Sequence, residues 1–331
     1  MRAVVLDGAG SIEVRELPDP EPGSGELVVA PAAVGICGTD LHLATGDYPT
    51  GRFPVVPGHE FAGTVVSVGP GVSGFAEGDR VCVDPNVACG GCAQCMSGAP
   101  NLCPDLVPIG VTVDGACAEL VRVPVRVAYH LPSDVDDETG ALIEPFACVL
   151  HGASRIGPVA GQRVLVYGAG SIGLLAVAYA RAEGAASIEV VEPSAIRRSA
   201  ALEFGADQVA APGELAATRD VDLVVEASGS PQAVADALGR LAARGTLLQM
   251  GVVSPTATID LAPYDLFDRE LSLVGSQSLA TAYPDAVRAM AGLPGLASRM
   301  VTHTFGLTDY AAALDAARSD QARKVQILPQ Q

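Results

Sequence analysis

The stretch that decides the fold is "QRVLVYGAGSIGLLAVAYARAEGA", residues 162–185. "RVLVY" has the continuous apolar character of a buried strand, and "SIGLLAVAYARAEGA" is typical of a helix closed by Gly184. Between them, Gly168 makes a tight turn, Gly170 lets a pyrophosphate approach the backbone, and Gly173 permits close strand–helix packing. This context predicts a dinucleotide site, with the pyrophosphate on the N–H groups of the new helix.

The acid expected at such a site is Glu192, which ends the next strand, near the usual spacing of about 20 residues. Its carboxylate can accept hydrogen bonds from a free ribose 2′-hydroxyl and repels a 2′-phosphate, so it favours NAD over NADP. Arg197 and Arg198 argue the other way, because an arginine can accept that phosphate or cover the adenine. The alternative is an acid that only faces water. The predicted cofactor-binding residues are Gly168, Gly170, Ser171, Ile172, Gly173, Glu192 and Arg197.

Two different patterns of secondary structure lie around this stretch. From about residue 160, strand and helix patterns alternate through "VDLVVEAS", "PQAVADALGRLAA", "GTLLQMG" and "ELSLVGS", which predicts a doubly wound parallel sheet. Up to about residue 130, short Val- and Ile-rich runs ending at turn residues predict a partly open β-barrel. The last stretch is Ala-rich and helical, with "HTFGL" expected to rejoin the first domain. The predicted domains are 1–147, 148–276 and 277–331.

Composition excludes several classes of protein. The 20 Lys and Arg against 38 Asp and Glu give a net charge of −18, which opposes binding to nucleic acid or to an anionic membrane. No apolar stretch approaches the roughly 20 residues of a membrane span, and the N-terminal apolar run is too short for a signal peptide. The chain is therefore expected to be cytoplasmic, where thiols stay reduced and clustered cysteines bind metal.

Four of the eight cysteines lie in "CGGCAQCMSGAPNLC", residues 89–103, within a lobe of about residues 85–107. Their C-x2-C-x2-C-x7-C spacing suits a closed tetrahedral zinc site. It also partly matches the bacterial ferredoxin run, whose last gap is shorter, and the thiols could instead be idle. Because that last gap is wrong for a cluster, we predict structural zinc. The predicted ligands are Cys89, Cys92, Cys95 and Cys103.

A catalytic zinc needs mixed ligands and an open position, and its candidates lie elsewhere. Each candidate also has a structural interpretation: a small buried thiol, a core imidazole or a surface acid. One thiolate, one imidazole and one or two carboxylates would together hold a zinc and leave room for a substrate oxygen. The candidates from "GICGTDLH", "PGHEFAG" and "ALIEPFACVLHG" are Cys37, Thr39, Asp40, His42, His59, Glu60 and Glu144.

Together these motifs resemble the zinc-dependent medium-chain alcohol dehydrogenases, in the branch of the threonine and polyol enzymes, over nearly the whole chain. "GHEFAGTVVSVGPGV" matches the family signature G-H-E-x2-G-x5-G-x2-V at every fixed position. "CGTDLH", the four cysteines, "IEPFACVLHG" and "VLVYGAGSIG" follow in the family's order. The resemblance implies a GroES-like β-barrel catalytic domain over 1–147, an inserted Rossmann domain over 148–276, and a return over 277–331. It also implies a homodimer or homotetramer.

The resemblance implies two zinc ions per chain, one catalytic and one structural. It makes Cys37 and His59 ligands of the catalytic zinc, with Glu60 and Glu144 as candidate carboxylate ligands or near neighbours. Classical liver-type enzymes have a second cysteine where this chain offers Glu144, as in the polyol and threonine branch. Cys148 is a weaker alternative ligand.

The implied reaction is the NAD-dependent interconversion of a secondary alcohol (a polyol, sugar alcohol or amino alcohol) and its ketone. Zinc acts as a Lewis acid on the substrate oxygen, and hydride passes to the nicotinamide. Thr39 is expected to hydrogen-bond that oxygen, His42 to pass its proton onward through the cofactor ribose, and Asp40 to orient His59. The alternatives are a related reductase of activated C=C or C=N bonds and a non-catalytic dinucleotide-binding protein.

Overall fold

The computed structural model describes residues 1–46, 48, 51–216, 218–293 and 295–331. They form two compact units, one of Met1–Ala147 with Ala280–Gln331 and one of Cys148–Leu279. Among the described residues, no helix is both long and apolar enough to cross a membrane.

The strands and helices follow the chain in an order that changes character at the second unit. The strands are β1 (Arg2–Leu6), β2 (Ile12–Glu16), β3 (Glu26–Gly35), β4 (Glu60–Val68), β5 (Arg80–Val83), β6 (Asn86–Val87), β7 (Val107–Pro108), β8 (Val121–Pro124), β9 (Ala128–His130), β10 (Arg163–Tyr167), β11 (Ser187–Val191), β12 (Gln208–Ala210), β13 (Val221–Glu226), β14 (Leu241–Gln249), β15 (Ser272–Gly275), β16 (Val301–Phe305) and β17 (Lys324–Ile327). The α-helices are α1 (Gly38–Thr45), α2 (Ala93–Met96), α3 (Asp137–Gly140), α4 (Ile143–Ser154), α5 (Ser171–Ala182), α6 (Ala195–Glu203), α7 (Pro231–Arg240), α8 (Pro263–Asp268), α9 (Tyr283–Met290), α10 (Leu296–Met300) and α11 (Tyr310–Arg318). Short 3₁₀ helices cover Pro100–Leu102, Val125–Val127 and Leu307–Asp309.

The first unit is built on a mostly antiparallel sheet in the order β16-β17-β3-β4-β5-β9, with β8 also paired to β3. β3 is nearly continuously apolar because most of it is buried, and it pairs along almost its full length with β4. β16 and β17 come from the end of the chain, and β17 runs antiparallel to β3. The sheet thus joins distant parts of the sequence around one apolar core.

The second unit is a six-stranded parallel sheet in the order β12-β11-β10-β13-β14-β15. Numbered within this unit, the order is 3-2-1-4-5-6, that of the Rossmann fold. The connections α5, α6 and α7 pack against the sheet, and apolar side chains such as Leu165, Val224 and Leu247 form the core on one side. The predicted fold class, a β-domain with an inserted doubly wound sheet, is confirmed.

Two elements differ from the sequence prediction. The helix predicted for "PQAVADALGRLAA" ends at Arg240, because Leu241 already pairs with Val221 and begins β14 through an irregular register. β17, in "RKVQILPQ", carried no strand prediction because its four residues include a lysine and a glutamine. All four are buried, so tertiary packing rather than local pattern sets this strand.

Candidate metal and cofactor sites

The cysteine lobe (residues 85–107) brings its four sulfurs together within one short segment. The sulfur of Cys92 lies 3.5 Å from that of Cys95 and 3.8 Å from that of Cys103, and the sulfurs of Cys89 and Cys95 are 4.0 Å apart. Cys92 starts the short helix α2, where its sulfur accepts a hydrogen bond from the backbone N–H of Cys95. No disulfide bond is formed by the cysteines of the described residues.

These distances fit a single zinc ion. Four thiolates at about 2.3 Å from a central zinc in tetrahedral geometry are separated by about 3.8 Å. An iron–sulfur cluster places several irons between its cysteines and needs a wider frame. Hydrogen bonds from the backbone N–H groups of Gly91 and Cys92 lower the pKa of Cys89 to about 7. Desolvation and the Cys92 thiol raise the pKa of Cys95 to about 12. Four thiolates this close therefore need a cation.

A second, mixed group forms where β3 and β4 meet, and we call it the mixed site. Gly35 at the end of β3 pairs with Glu60 at the start of β4, and the chain then reaches Cys37, which begins α1. One ligand atom from each of Cys37, His59 and Glu60 lies within 4.8 Å of the others. Gly35 is required here, because a Cβ would overlap the carboxylate of Glu60. Cys37, His59 and Glu60, which the sequence predicts to share one metal, thus lie together in the structure.

Asp40 supports two of these residues. Its Oδ2 accepts a hydrogen bond of 2.8 Å from the backbone N–H of Cys37, and its Oδ1 lies 3.8 Å from Nδ1 of His59. Asp40 and His59 are buried, and burial opposes the charge of the imidazole. The Asp40 carboxylate and the Cys37 thiol outweigh that cost and raise the pKa of His59 well above its usual value. The imidazole therefore faces an acid through Nδ1, which leaves its other nitrogen for a metal.

Lys324 contributes a buried cation to this site. Its Nζ forms an ion pair with Oε2 of Glu60, and both side chains are almost fully buried. Burial opposes the ammonium charge, but Glu60 and Cys37 outweigh it and raise the pKa of Lys324. Because the surrounding acids outnumber this cation, the charge balance favours binding of a divalent metal.

Glu144 lies in the first turn of α4 and is buried, but it is not part of the three-residue ligand group. Burial and the neighbouring Glu60 raise its pKa to about 7, while His59 and Lys324 lower it. Glu144 is thus an electrostatic neighbour of the site in this structure. Cys148 is half-buried and lies outside both cysteine-containing metal groups found among the described residues.

Thr39 and His42 both lie on α1. Thr39 is half-buried beside Asp40 in the first turn of this helix, and His42 is exposed. Both residues therefore lie on the helix that Cys37 begins.

The glycine-rich turn of the second unit has the geometry its sequence predicts. Gly168 has a φ of +92°, which favours glycine, and Gly170 is the N-cap of α5. A Cβ on Gly173 would overlap the carbonyl oxygen of Gly168, so the strand and helix approach as closely as the motif requires. Ser171 and Ile172 form the first turn of α5, where backbone N–H groups are free for a phosphate.

Glu192 follows β11 and is buried beside this turn. Its Oε2 accepts a hydrogen bond of 2.8 Å from the N–H of Ala169, and its Oε1 one of 2.9 Å from that of Ser194. Arg198 donates to the carbonyl oxygens of Glu192 and Pro193. The alternative of an acid that only faces water is therefore wrong for Glu192, which is 4% exposed. Arg197 is half-buried in the first turn of α6.

Sequence reasoning missed two buried polar residues, Lys324 and Glu226. Lys324 lies far along the chain from its partner Glu60, and a lysine in a short strand carries no signal of burial. Glu226 ends β13, is fully buried, and binds the loop that follows. In the sequence, the only sign of a role for Glu226 was that an acid ends a strand.

Comparison with known proteins shows which family the chain belongs to. Residues 23–133 match the model of the alcohol dehydrogenase GroES-like domain, and residues 171–292 match that of the zinc-binding dehydrogenases. The chain is 35% identical to D-altritol 5-dehydrogenase of Agrobacterium fabrum, over 97% of each chain. It is 34% identical to L-threonine 3-dehydrogenase of Saccharopolyspora erythraea, over 98% of each. A crystal structure of a putative zinc-binding dehydrogenase from Sinorhizobium meliloti, bound to NADP, superposes with a TM-score of 0.94 at 35% identity, covering 99% of both chains. The chain therefore belongs to the zinc-dependent medium-chain alcohol dehydrogenase family.

Proposed function

We propose that this protein is a zinc- and NAD-dependent dehydrogenase that interconverts a secondary alcohol and its ketone. The observation that carries the proposal is the convergence of a thiol, an imidazole and a carboxylate in Cys37, His59 and Glu60. Three ligands of mixed type leave a fourth position for substrate, as catalytic zinc sites require. When bound, zinc supplies a Lewis acid for the substrate oxygen, and the nicotinamide accepts hydride.

The remaining residues of the mixed site position ligands and handle the proton. Asp40 accepts a hydrogen bond from the backbone of Cys37, and its carboxylate faces Nδ1 of His59, so it is proposed to position both ligands. Thr39 is proposed to hydrogen-bond the substrate hydroxyl, and His42, exposed on the same helix, to pass the proton of that hydroxyl to solvent. Glu144 is proposed as a neighbour whose charge adjusts the site, with Glu60 the preferred carboxylate ligand.

Residues 148–279 are proposed to bind the dinucleotide, with NAD preferred. The supporting observation is the buried carboxylate of Glu192, which lies beside the glycine-rich turn and opposes a 2′-phosphate. The similar Sinorhizobium meliloti protein was crystallised with NADP, so the preference has to be measured on this chain. Parallel titrations with NADH and NADPH test it, and tighter binding of NADPH would refute the preference.

A polyol, sugar alcohol or amino alcohol is the proposed substrate class. D-altritol and L-threonine, the substrates named for two relatives, both carry a secondary hydroxyl beside another polar group. The test is metal analysis followed by a panel of polyols, diols, amino alcohols and ketones with each coenzyme. Two zinc ions per chain and turnover of a secondary alcohol are expected. Turnover of enones or imines alone would favour the related reductase, and no turnover by fully metallated protein would favour a non-catalytic role.

A homodimer or homotetramer in the cytoplasm is the proposed assembly. β15 is an edge strand of the parallel sheet, and large apolar side chains on it and elsewhere in the same unit are exposed. They include Val252, Tyr264, Phe267 and Leu273. An exposed apolar edge strand is suited to pairing with another chain. Light scattering coupled to gel filtration tests this, and a monomer at micromolar concentration would refute it.

A further inference from the structure

Glu226 is a buried acid of the second unit with no role in the proposed chemistry. It ends β13, is fully buried, and sits where the loops after three neighbouring parallel strands meet. In open parallel sheets, ligands bind at this carboxyl end of the strands.

The side chain of Glu226 accepts hydrogen bonds from the loop after β13 and from Gln249, the last residue of β14. Its Oε1 accepts from the backbone N–H groups of Ser228 and Gly229, at 2.8 Å and 3.0 Å, and from the hydroxyl of Ser228. Its Oε2 accepts from the side-chain amide of Gln249 at 2.6 Å. The same amide donates to the carbonyl oxygen of Gly251 at 2.7 Å. One carboxylate thus joins the loop after β13 to the loop after β14.

The two loops are also packed backbone against backbone. A Cβ on Gly251 would overlap the carboxylate of Glu226 and the N–H of Gly229. A Cβ on Gly229, whose φ is +67°, would contact the carbonyl oxygen of Val252. Neither loop can therefore carry a side chain at these points without a shift of the other, and the two loops pack closely beside Glu226.

The loop after β13 in turn lies against the glycine-rich turn. A Cβ on Gly168 would lie 3.0 Å from both Cα and N of Ser228. The N–H of Ala227 donates to the carbonyl oxygen of Tyr167, the residue before Gly168. A shift of residues 227–229 therefore changes the surface next to the turn on which the pyrophosphate is proposed to sit.

We propose that Glu226 is a positioning residue for the dinucleotide, acting through the loops after β13 and β14. The inference rests on the proposed dinucleotide site. An acid is needed because several donors converge on both oxygens, whereas a glutamine offers one acceptor oxygen and turns an NH₂ group toward the remaining donors. Unsatisfied donors at this edge would displace the loops.

The test is the variant Glu226→Gln, with Asp222→Asn as a matched control. Asp222 lies on the same strand β13 at its amino end, where it accepts hydrogen bonds from the backbone and guanidinium of Arg163. NADH affinity is measured by fluorescence titration, and thermal melting is followed with and without saturating NADH. Glu226→Gln is expected to weaken NADH binding about tenfold and raise the KM for NAD similarly. Two zinc ions per chain should remain, with kcat at saturating NAD nearly unchanged.

A purely structural role makes a different prediction. It would lower the melting temperature of Glu226→Gln equally with and without NADH, whereas the positioning role reduces the stabilisation that NADH provides. Unchanged NADH affinity in Glu226→Gln, or equal weakening in Asp222→Asn, would overturn the inference. If Glu226→Gln does not fold, Gln249→Met removes only the Gln249 bonds, and it should weaken NADH binding to a smaller extent; an unchanged Kd would again overturn it. Failure of the unaltered protein to bind NADH would instead refute the proposed function itself.

Discussion

The cysteine lobe and the mixed site are both suited to zinc, yet they are built in opposite ways. The lobe offers four candidate ligands within residues 89–103, and neighbouring sulfurs lie 3.5 Å, 3.8 Å and 4.0 Å apart. The mixed site takes its ligands from two separate segments and surrounds them with Asp40, Glu144 and the buried Lys324. Four identical ligands close the first site, while mixed ligands leave the second open. From this difference we expect a zinc ion in the lobe to stabilise the fold and a zinc ion in the mixed site to take part in the reaction.

The largest expected effect is that of Cys37→Ser on turnover. A serine hydroxyl is a poor zinc ligand, and losing a Lewis acid worth several kcal/mol should lower kcat/KM by about 1,000-fold or more. The lobe should keep its metal, giving one zinc per chain, and NADH should bind as before. The matched control is Cys82→Ser, which changes a buried cysteine of the same unit outside both metal groups. Substantial activity in Cys37→Ser with zinc only at the lobe would show that the mixed site is not the catalytic centre.

Cys95→Ser tests the lobe in the same terms. Removing one of four thiolates should release one zinc per chain and lower the melting temperature by about 5–10 °C, because metal binding contributes folding free energy. Turnover per folded chain should change little. Ser97→Ala, in the same turn, controls for disturbance of the lobe without loss of a ligand. A melting temperature and zinc content equal to those of the unaltered protein would contradict the structural role.

The two sites also differ in how far sequence alone could predict them. The lobe is local, so its spacing alone predicted four zinc ligands, and the distances between the sulfurs fit a single zinc ion. The glycine-rich turn was equally local, and together with the strand–helix alternation around it, it predicted the parallel sheet that the second unit has. The mixed site depends on the pairing of Gly35 with Glu60, which no short pattern encodes. The family signature, rather than spacing, indicated its ligands.

What sequence could not predict shares one physical cause. Lys324 pairs with Glu60 only because the end of the chain returns as β17 beside β3, and Glu226 binds loops that meet only in the folded sheet. The end of α7 at Arg240 was likewise set by pairing of Leu241 with β13. Local propensity is a weak guide where long-range pairing decides.

Glu60→Gln and Glu144→Gln separate the ligand from its neighbour within the mixed site. Since Glu60 lies in the ligand group and Glu144 does not, Glu60→Gln should lower kcat/KM by about 100-fold and Glu144→Gln by about tenfold. Zinc content and kcat/KM of both variants are measured together. Glu60→Gln also leaves Lys324 buried without its carboxylate, so the double variant Glu60→Gln with Lys324→Met controls for that penalty. A larger loss in Glu144→Gln would assign the carboxylate ligand to Glu144 instead.

The smallest expected effect is that of Asp40→Asn, which tests whether only the mixed site depends on a supporting acid. Asparagine can still accept the hydrogen bond from the Cys37 N–H, but it removes the negative charge facing His59. Zinc affinity of the mixed site should fall about tenfold, as for other residues that support a ligating histidine, and kcat/KM should fall by a similar or smaller factor at limiting zinc.

Asp136→Asn is the matched control, because Asp136 accepts a backbone N–H at the start of α3 in the same unit without facing a ligand. Competition with a chromophoric chelator measures both sites at once. The lobe, whose sulfurs are supported by backbone N–H groups such as that of Cys95, should keep its affinity in both variants. Equal zinc loss from the lobe and the mixed site in Asp40→Asn would mean that the acid stabilises the whole unit rather than one ligand, and the distinction between the two centres would then rest on ligand type alone.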